Sequence, residues 1–343
     1  MDRYKPSYII KGLTVNTMKK LSLLFILVVL LCLPTTIFSQ SASEGERKYL
    51  FESMETLTGV PWYFLAAIDQ YERNIQQARP DLPERSGSVA IAIPLDRWAG
   101  PLNPDPQDVI PESIHFFGGI GRDGNGDGKA DPYNPIDILY TIGEYLSRFG
   151  TTYDDLRIGL WNYYQHPTAV DIITHIAKMY QKFNTTDLYE NHFPIPLQYN
   201  YTYRSTWGDR RGWGGIRIHE GTDIFAGYGT PVLSTCYGYV ELKGWNRYGG
   251  WRVGIRDVNN NYHYFGHLGG FNKKLKQGDI VKPGEVLGFV GSTGYGPPGT
   301  AGKFPPHLHY GLYKFNGKTT FSFDPYPYLR AWEQKTKNKT TKK

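Results

Sequence analysis

The rhythm of hydrophobic and polar positions changes twice along the chain. Residues 21–33 (LSLLFILVVLLCL) form an unbroken apolar run. From Glu44 to about Tyr180, apolar residues recur every three to four positions, as at Leu50, Met54 and Leu57, the spacing of one buried helix face. This pattern predicts a helix ending at Gly59-Val60-Pro61, a second opened by Pro61, a third over Ile136–Phe149 and a fourth over Val170–Phe183. Past about Tyr201 the period falls to two. Alternating runs at Pro231–Ser234, Tyr237–Leu242, Trp251–Arg256, Tyr262–Phe265, Val286–Val290 and Leu308–Tyr313 predict antiparallel strands to about Leu329. Turns at Tyr248-Gly249-Gly250 and Asn259-Asn260-Asn261 separate some of them. Pro194 and Pro196 lie between the two rhythms.

The expected architecture is therefore α+β and multidomain. Its parts are a leader (1–40), an all-α domain (44–190), a linker (191–204), an antiparallel β domain (205–330) and a basic tail (331–343). A chain of 343 residues has room for both domains.

Charge narrows the function. The formal net charge is +6, but five of the 38 basic residues lie in residues 1–20 and five in residues 335–343. Between those ends, 28 basic residues face 31 acidic ones. Nucleic-acid binding needs a basic face on the folded part, and none is left. The leader has Lys19-Lys20, then thirteen apolar residues, then Pro34 and a polar stretch. That order reads as a secretory signal, with an N-terminal membrane anchor as the alternative, since the run is short for a span. Met18 is a candidate start, and cleavage falls near Ser39–Ala42. Cys32 lacks the small preceding residue of a lipidated cysteine. Cys236 is the one cysteine of the body, so the exported protein has no intrachain disulfide. Its expected place is outside the cytoplasm.

The candidate chemistry is concentrated in the β region. His219 and Asp223 flank Gly221 in His-Glu-Gly-Thr-Asp, and His307 and His309 form His-Leu-His. Side chains two apart on a strand share a face, so His307 and His309 project together. One of them can bind a metal while the other faces the same cavity. His219 and Asp223 can chelate one ion if their segment is extended, with Gly221 leaving room for it. Two imidazoles and a carboxylate make a three-ligand zinc site with an open position for water. His263 and His267 have equal parity, and spacing does not choose between them as a further site residue.

These residues resemble the M23 (lysostaphin-type) metallopeptidases. The family pattern matches His219 to Asp223, Tyr264 to Leu268, Gly291-Ser292-Thr293-Gly294 and His307 to His309. The resemblance implies zinc ligands His219, Asp223 and His309, with His267 and His307 as catalytic groups beside the water. It implies hydrolysis of a peptidoglycan amide. Longer strings, at Tyr203–Asp209, Gly244–Trp251 and Gly294–His307, narrow the resemblance to the sporulation branch that cuts L-Ala–D-Glu. Zinc chemistry by itself fits D,D cross-bridges, polyglycine bridges or a protein substrate equally well. A wall-binding scaffold without catalysis is the alternative from a different class.

The helical region resembles the lysozyme-like domain of lytic transglycosylases. Ala66 to Arg73 matches the helix that carries their general acid, placing Glu72 at the acid position. Arg73 departs from the family's small hydroxyl residue, and a cation beside Glu72 would lower its pKa. Asp123, Asn125, Asp127, Lys129 (through its carbonyl) and Asp131, interleaved with glycines, follow calcium-loop spacing. Asp137 sits where some of those enzymes close such a loop, so a structural calcium ion is expected there.

Overall fold

Residues 44–82, 87–211 and 217–340 are described by the computed structural model of the chain. The apolar leader, Cys32 and the expected cleavage point lie outside the described residues. No helix among the described residues is long and apolar enough to cross a membrane.

The N-terminal part is helical: α1 (Glu44–Thr58), α2 (Trp62–Ala78), α3 (Leu95–Ala99), α4 (Pro111–Phe116), α5 (Pro135–Ser147), α6 (Tyr153–Tyr164) and α7 (Pro167–Phe183). Local signals set the ends. Gly59 takes φ +73 after α1, a conformation that costs glycine little. Asn134 caps α5 by accepting from the Ile136 amide, with Pro135 at the first helical position. Thr152 and Asp155 form a reciprocal capping box on α6. Burial decides the faces. Phe64, Leu65, Ile68 and Ile75 of α2 share one core with Ile172, Ile173, Ile176 and Met179 of α7. Each such side chain contributes about 1.5–3 kcal/mol on burial.

Among the described residues twelve strands follow: β1 (Tyr201–Tyr203), β2 (Arg210–Arg211), β3 (Arg217–Ile218), β4 (Thr222–Ala226), β5 (Pro231–Leu233), β6 (Gly238–Asn246), β7 (Gly250–Arg256), β8 (Asn261–Phe271), β9 (Ile280–Val281), β10 (Val286–Val290), β11 (His307–Phe315) and β12 (Thr320–Phe323). A final helix, α8 (Tyr326–Thr340), runs through the basic end of the chain. The main sheet has the order β1-β4-β11-β8-β7-β6-β9, and every pairing in it is antiparallel. All six predicted runs form strands. Strands β1, β4, β9 and β12 are too short or too mixed to show as a period.

Alternation along β11 sorts the sheet into two faces. Leu308, Tyr310 and Leu312 are buried in the second core with Ile224, Val253, Ile255 and Phe265. His307, His309 and Gly311 point the other way. Leu329 and Trp332 of α8 close that core. The helical layer packs against the β region as well. Val258 and Phe315 belong to the helical core, and the buried Asn74 Nδ2 donates to the Val258 carbonyl at 2.9 Å.

Candidate metal centre

The centre is built on the pair of strands β4 and β11. Asp223 and His309 are direct cross-strand partners, so their side chains leave the same face at the closest spacing a sheet allows. His219 lies outside the regular strands, between β3 and β4. Its backbone is nevertheless fixed on both sides, since its N–H donates to Asp209 O at 2.9 Å and its carbonyl accepts from Gly208 N at 2.8 Å. Gly221 is required for a different reason from the one the spacing suggested. A Cβ there would lie 2.5 Å from His309 Cε1, so it is the His309 ring, not an ion, that fills the space a side chain would take.

Three donor atoms converge. His219 Nε2 lies 2.9 Å from His309 Nδ1 and 3.1 Å from Asp223 Oδ1, and His309 Nδ1 lies 3.1 Å from the same oxygen. Ligands sharing one tetrahedral ion at about 2.0–2.1 Å stand on the order of 3.3 Å apart. His219 Nδ1 donates to the Thr206 carbonyl at 2.7 Å, which leaves a lone pair on Nε2 of the neutral ring. With His309 Nδ1 unprotonated, lone pairs on two nitrogens and a carboxylate at this separation suit one shared cation. A proton serves one pair, whereas a metal ion serves all three. Among the described residues these three form the grouping able to hold an ion.

All three ligand candidates are little exposed, Asp223 at 4%. Burial would raise the Asp223 carboxyl, but the imidazoles of His219 and His309 outweigh it and hold it far below the carboxylate range. Burial lowers His309. His267 is lowered to about 3, first by burial and then by the neighbouring His307 and His309. It therefore faces the site as a neutral base.

His267 reaches this face through an irregularity. Trp251 pairs with Leu268 and Val253 with Phe265, so Arg252 alone stands opposite both Gly266 and His267. This is a bulge, and His267 adopts φ +61 within it. The bulge reverses the alternation. His263 therefore points into the core, where it meets Asp257 Oδ2 at 3.1 Å, Tyr310 OH at 2.7 Å and Thr235 Oγ1 at 2.8 Å. Equal parity in sequence does not become a shared face.

His267 and His307 flank the donors as a pair, their ring centres 4.9 Å apart. His267 Nδ1 donates to Thr293 O at 2.7 Å, and His307 Nδ1 to Pro305 O at 2.9 Å. In a neutral ring each of these bonds leaves the lone pair on Nε2. His307 Nε2 lies 3.7 Å from Asp223 Oδ1. The segment before β11 walls this side, with Phe304 packed on His267 and His307 at 4.7 and 5.1 Å. Ser292 Oγ holds that segment by accepting from the Gly302 amide at 3.0 Å, and it also meets Tyr228 OH at 2.8 Å. The resulting cleft, about 420 Å³, is lined by His219, Asp223, His267 and His309 together with Tyr248, Arg252 and Tyr264.

Thr206 and Thr293 were not singled out from the sequence. Each fixes a site histidine through its backbone carbonyl, and a carbonyl has no residue-type signal. Their nearest traces were the strings Tyr203–Asp209 and Gly291–Gly294.

The other candidates do not join this centre. Tyr164 OH donates to Glu72 Oε1 at 2.7 Å. Arg73 turns away from Glu72. Its Nε binds Asp69 Oδ2 at 3.0 Å and its Nη2 binds the Ser88 carbonyl at 2.7 Å, which corrects the expectation that it acts on Glu72. In the glycine-rich loop, Asp123 accepts from the Gly126 and Gly128 amides at 2.7 and 2.8 Å. Asp127 Oδ1 accepts from Lys129 N at 2.9 Å, Asn125 Oδ1 from Asp127 N at 2.9 Å, and Asp131 Oδ1 from Tyr133 N at 2.8 Å. The buried Asp137 accepts from Gly124, Asn125 and Asp131. The loop is thus closed by its own amides.

Asp223 and His309 on paired antiparallel strands, His219 beside them and the two further imidazoles of His267 and His307 define a mononuclear metallohydrolase site, and the chain belongs to peptidase family M23. The model of that family matches residues 217–322. Over most of its length the chain is similar to the L-Ala–D-Glu endopeptidase of Bacillus subtilis (strain 168). The two are 61% identical over 290 residues, 84% of this chain and 89% of that protein. Lysostaphin of Staphylococcus simulans is 36% identical over 117 residues, 33% of this chain and 22% of that one. The solved catalytic domain of lysostaphin from the same species is 32% identical, with a TM-score of 0.31 over 38% of this chain and 92% of that one.

Proposed function

We propose that this chain is a zinc-dependent peptidoglycan endopeptidase that hydrolyses the L-Ala–D-Glu amide of the stem peptide. The observation that carries the reaction type is the convergence of His219 Nε2, Asp223 Oδ1 and His309 Nδ1 within 2.9–3.1 Å. The name of the Bacillus subtilis relative supports the bond. The reading places the enzyme outside the cytoplasm, on cell-wall or spore-cortex glycan.

His219, Asp223 and His309 would hold the ion, which supplies Lewis-acid activation of water and of the amide carbonyl when bound. The chain's own residues handle the protons. His267 lines the cleft and His307 packs beside it, and whichever ring is neutral accepts the proton of the attacking water through Nε2. The imidazolium so formed donates to the developing oxyanion and then to the leaving amine. The backbone carbonyls of Thr293 and Pro305 keep each ring oriented through the exchange.

The helical part is read as a glycan-positioning region of the lysozyme-like type rather than a second catalyst. Glu72 is engaged by the Tyr164 phenol, which donates to its Oε1 at 2.7 Å.

Digestion of purified peptidoglycan tests the proposal. New free D-Glu amino termini, seen by mass spectrometry, are expected. Loss of cross-linked dimers with no such termini would point to a D,D-endopeptidase instead. Absence of any cleavage by protein carrying one zinc per chain would point to a scaffold.

A further inference from the structure

Arg252 stands in the same cleft and takes no part in the proton handling described above. It lies on β7, opposite the bulge that carries His267. Its guanidinium carbon is 5.9 Å from the centre of the Tyr264 ring, and that ring packs edge-on to His309 at 5.8 Å. One aromatic ring therefore separates Arg252 from the metal-ligand candidates.

Its bonding is incomplete. Arg252 Nε is buried and has no hydrogen-bond partner, although the residue lines the cleft. Among the described residues no ion pair involves it. Arg256, four positions along the same strand, shows the contrast. Its Nε and Nη2 bind both oxygens of Glu241 at 3.1 and 3.2 Å, and its guanidinium also covers a tyrosine, Tyr262, at 5.1 Å. The two arginines repeat one arrangement on one strand, and at Arg252 the carboxylate is missing. A buried donor without an acceptor is costly to keep, and guanidinium is the group best matched to a carboxylate.

The proposed substrate supplies such a carboxylate. Glutamate has two carboxyl groups. A peptide that continues through one of them leaves the other free, and in an L-Ala–D-Glu amide the D-Glu residue also bears the scissile nitrogen. We propose that Arg252 is a specificity residue that receives the free carboxylate of the D-Glu residue on the leaving side of the cleaved amide. This rests on the L-Ala–D-Glu reading given above. A polyglycine bridge carries no carboxylate at that place, so Arg252 also accounts for discrimination against it.

The test uses the full chain loaded with zinc and two synthetic stem peptides. One carries the free D-Glu carboxylate, and the other carries the carboxamide there. The wild-type enzyme is expected to favour the carboxylate peptide in kcat/KM by about 10- to 100-fold, the range of a charge-assisted hydrogen bond. In Arg252→Ala the preference collapses through loss on the carboxylate peptide, and Arg252→Lys restores part of it. Equal wild-type rates on the two peptides overturn the inference and need no variant. So does an equal loss on both peptides in Arg252→Ala with an unchanged melting temperature. Cleavage of neither peptide by a wild type that still digests peptidoglycan overturns the bond assignment and the inference with it.

Discussion

His263 and His267 lie four residues apart on β8 and serve opposite faces of the sheet. The first closes a buried network with Asp257, Tyr310 and Thr235. The second faces the metal centre through a bulge. Their substitution phenotypes separate accordingly. His267→Ala should lower kcat by about 10²- to 10⁴-fold, the usual worth of a positioned proton-transfer group, with zinc content and melting temperature near wild type. His263→Ala should instead lower stability by about 1–3 kcal/mol, since it removes one buried hydrogen-bond partner from Asp257, which keeps those from Asn261. Zinc analysis, steady-state kinetics and thermal melts on both variants check this, and an exchange of the two phenotypes would contradict the face assignment.

Gly221→Ala is the smallest change expected to disable the centre. The added methyl would meet His309 Cε1 at 2.5 Å and the Tyr310 carbonyl at 2.7 Å. One of these is a ring aligned for metal binding and the other is backbone, so neither yields cheaply. Zinc affinity should fall about 10- to 100-fold, the scale seen when a ligand's orientation is lost. Competition against a chromogenic chelator measures it.

Metal removal should be reversible and specific. EDTA is expected to abolish peptidoglycan cleavage, and one equivalent of zinc to restore it. In Asp223→Ala, zinc should restore nothing, because one of the three donors is gone. The binding stoichiometry, read by atomic absorption, should be one in the wild type.

Acid sensitivity should arise partly at the junction of helices and sheet. Burial pushes the Glu241 carboxyl up, but the hydrogen bond from His175 and the Arg256 guanidinium outweigh it and bring it from 4.5 to about 2. The folded pKa is depressed. The contribution of this group is therefore full above pH 4.5 and is lost as pH falls through about 2. Glu241→Gln should flatten the decline of stability across that window by about one proton. Denaturant melts from pH 2 to 7 show whether it does.

The grouping of His219, Asp223 and His309 was readable because metal chemistry constrains both residue types and spacing. His219, Asp223 and His309 follow from that together with the family pattern. The strand carrying Asp223 was not readable, because Thr222–Ala226 is buried at four of its five positions and shows no alternation. The bulge at His267 was invisible for a related reason. It is a property of two paired strands, and parity counts one strand alone. Helix α6 escaped because YDDLRIGLWNYY buries only Leu156, Gly159 and Leu160, too narrow a stripe to show as a period. Its Thr152-x-x-Asp155 cap was the better signal. Arg73 was misread from adjacency. Neighbours in a helix point about 100° apart, and Asp69, one turn back, takes its guanidinium instead.

The pairing of Asp223 with His309 joins positions 86 residues apart in a chain whose one described cysteine, Cys236, is buried and unpaired. An ion gripped there works as a clasp, closing a long loop much as a crosslink would. Loops of that length lose about 4.6 kcal/mol of unfolded-state entropy when tied. The zinc-free protein should thus exchange its β4 and β11 amide hydrogens with deuterium sooner than the rest of the sheet, opening first at the seam where the clasp would sit.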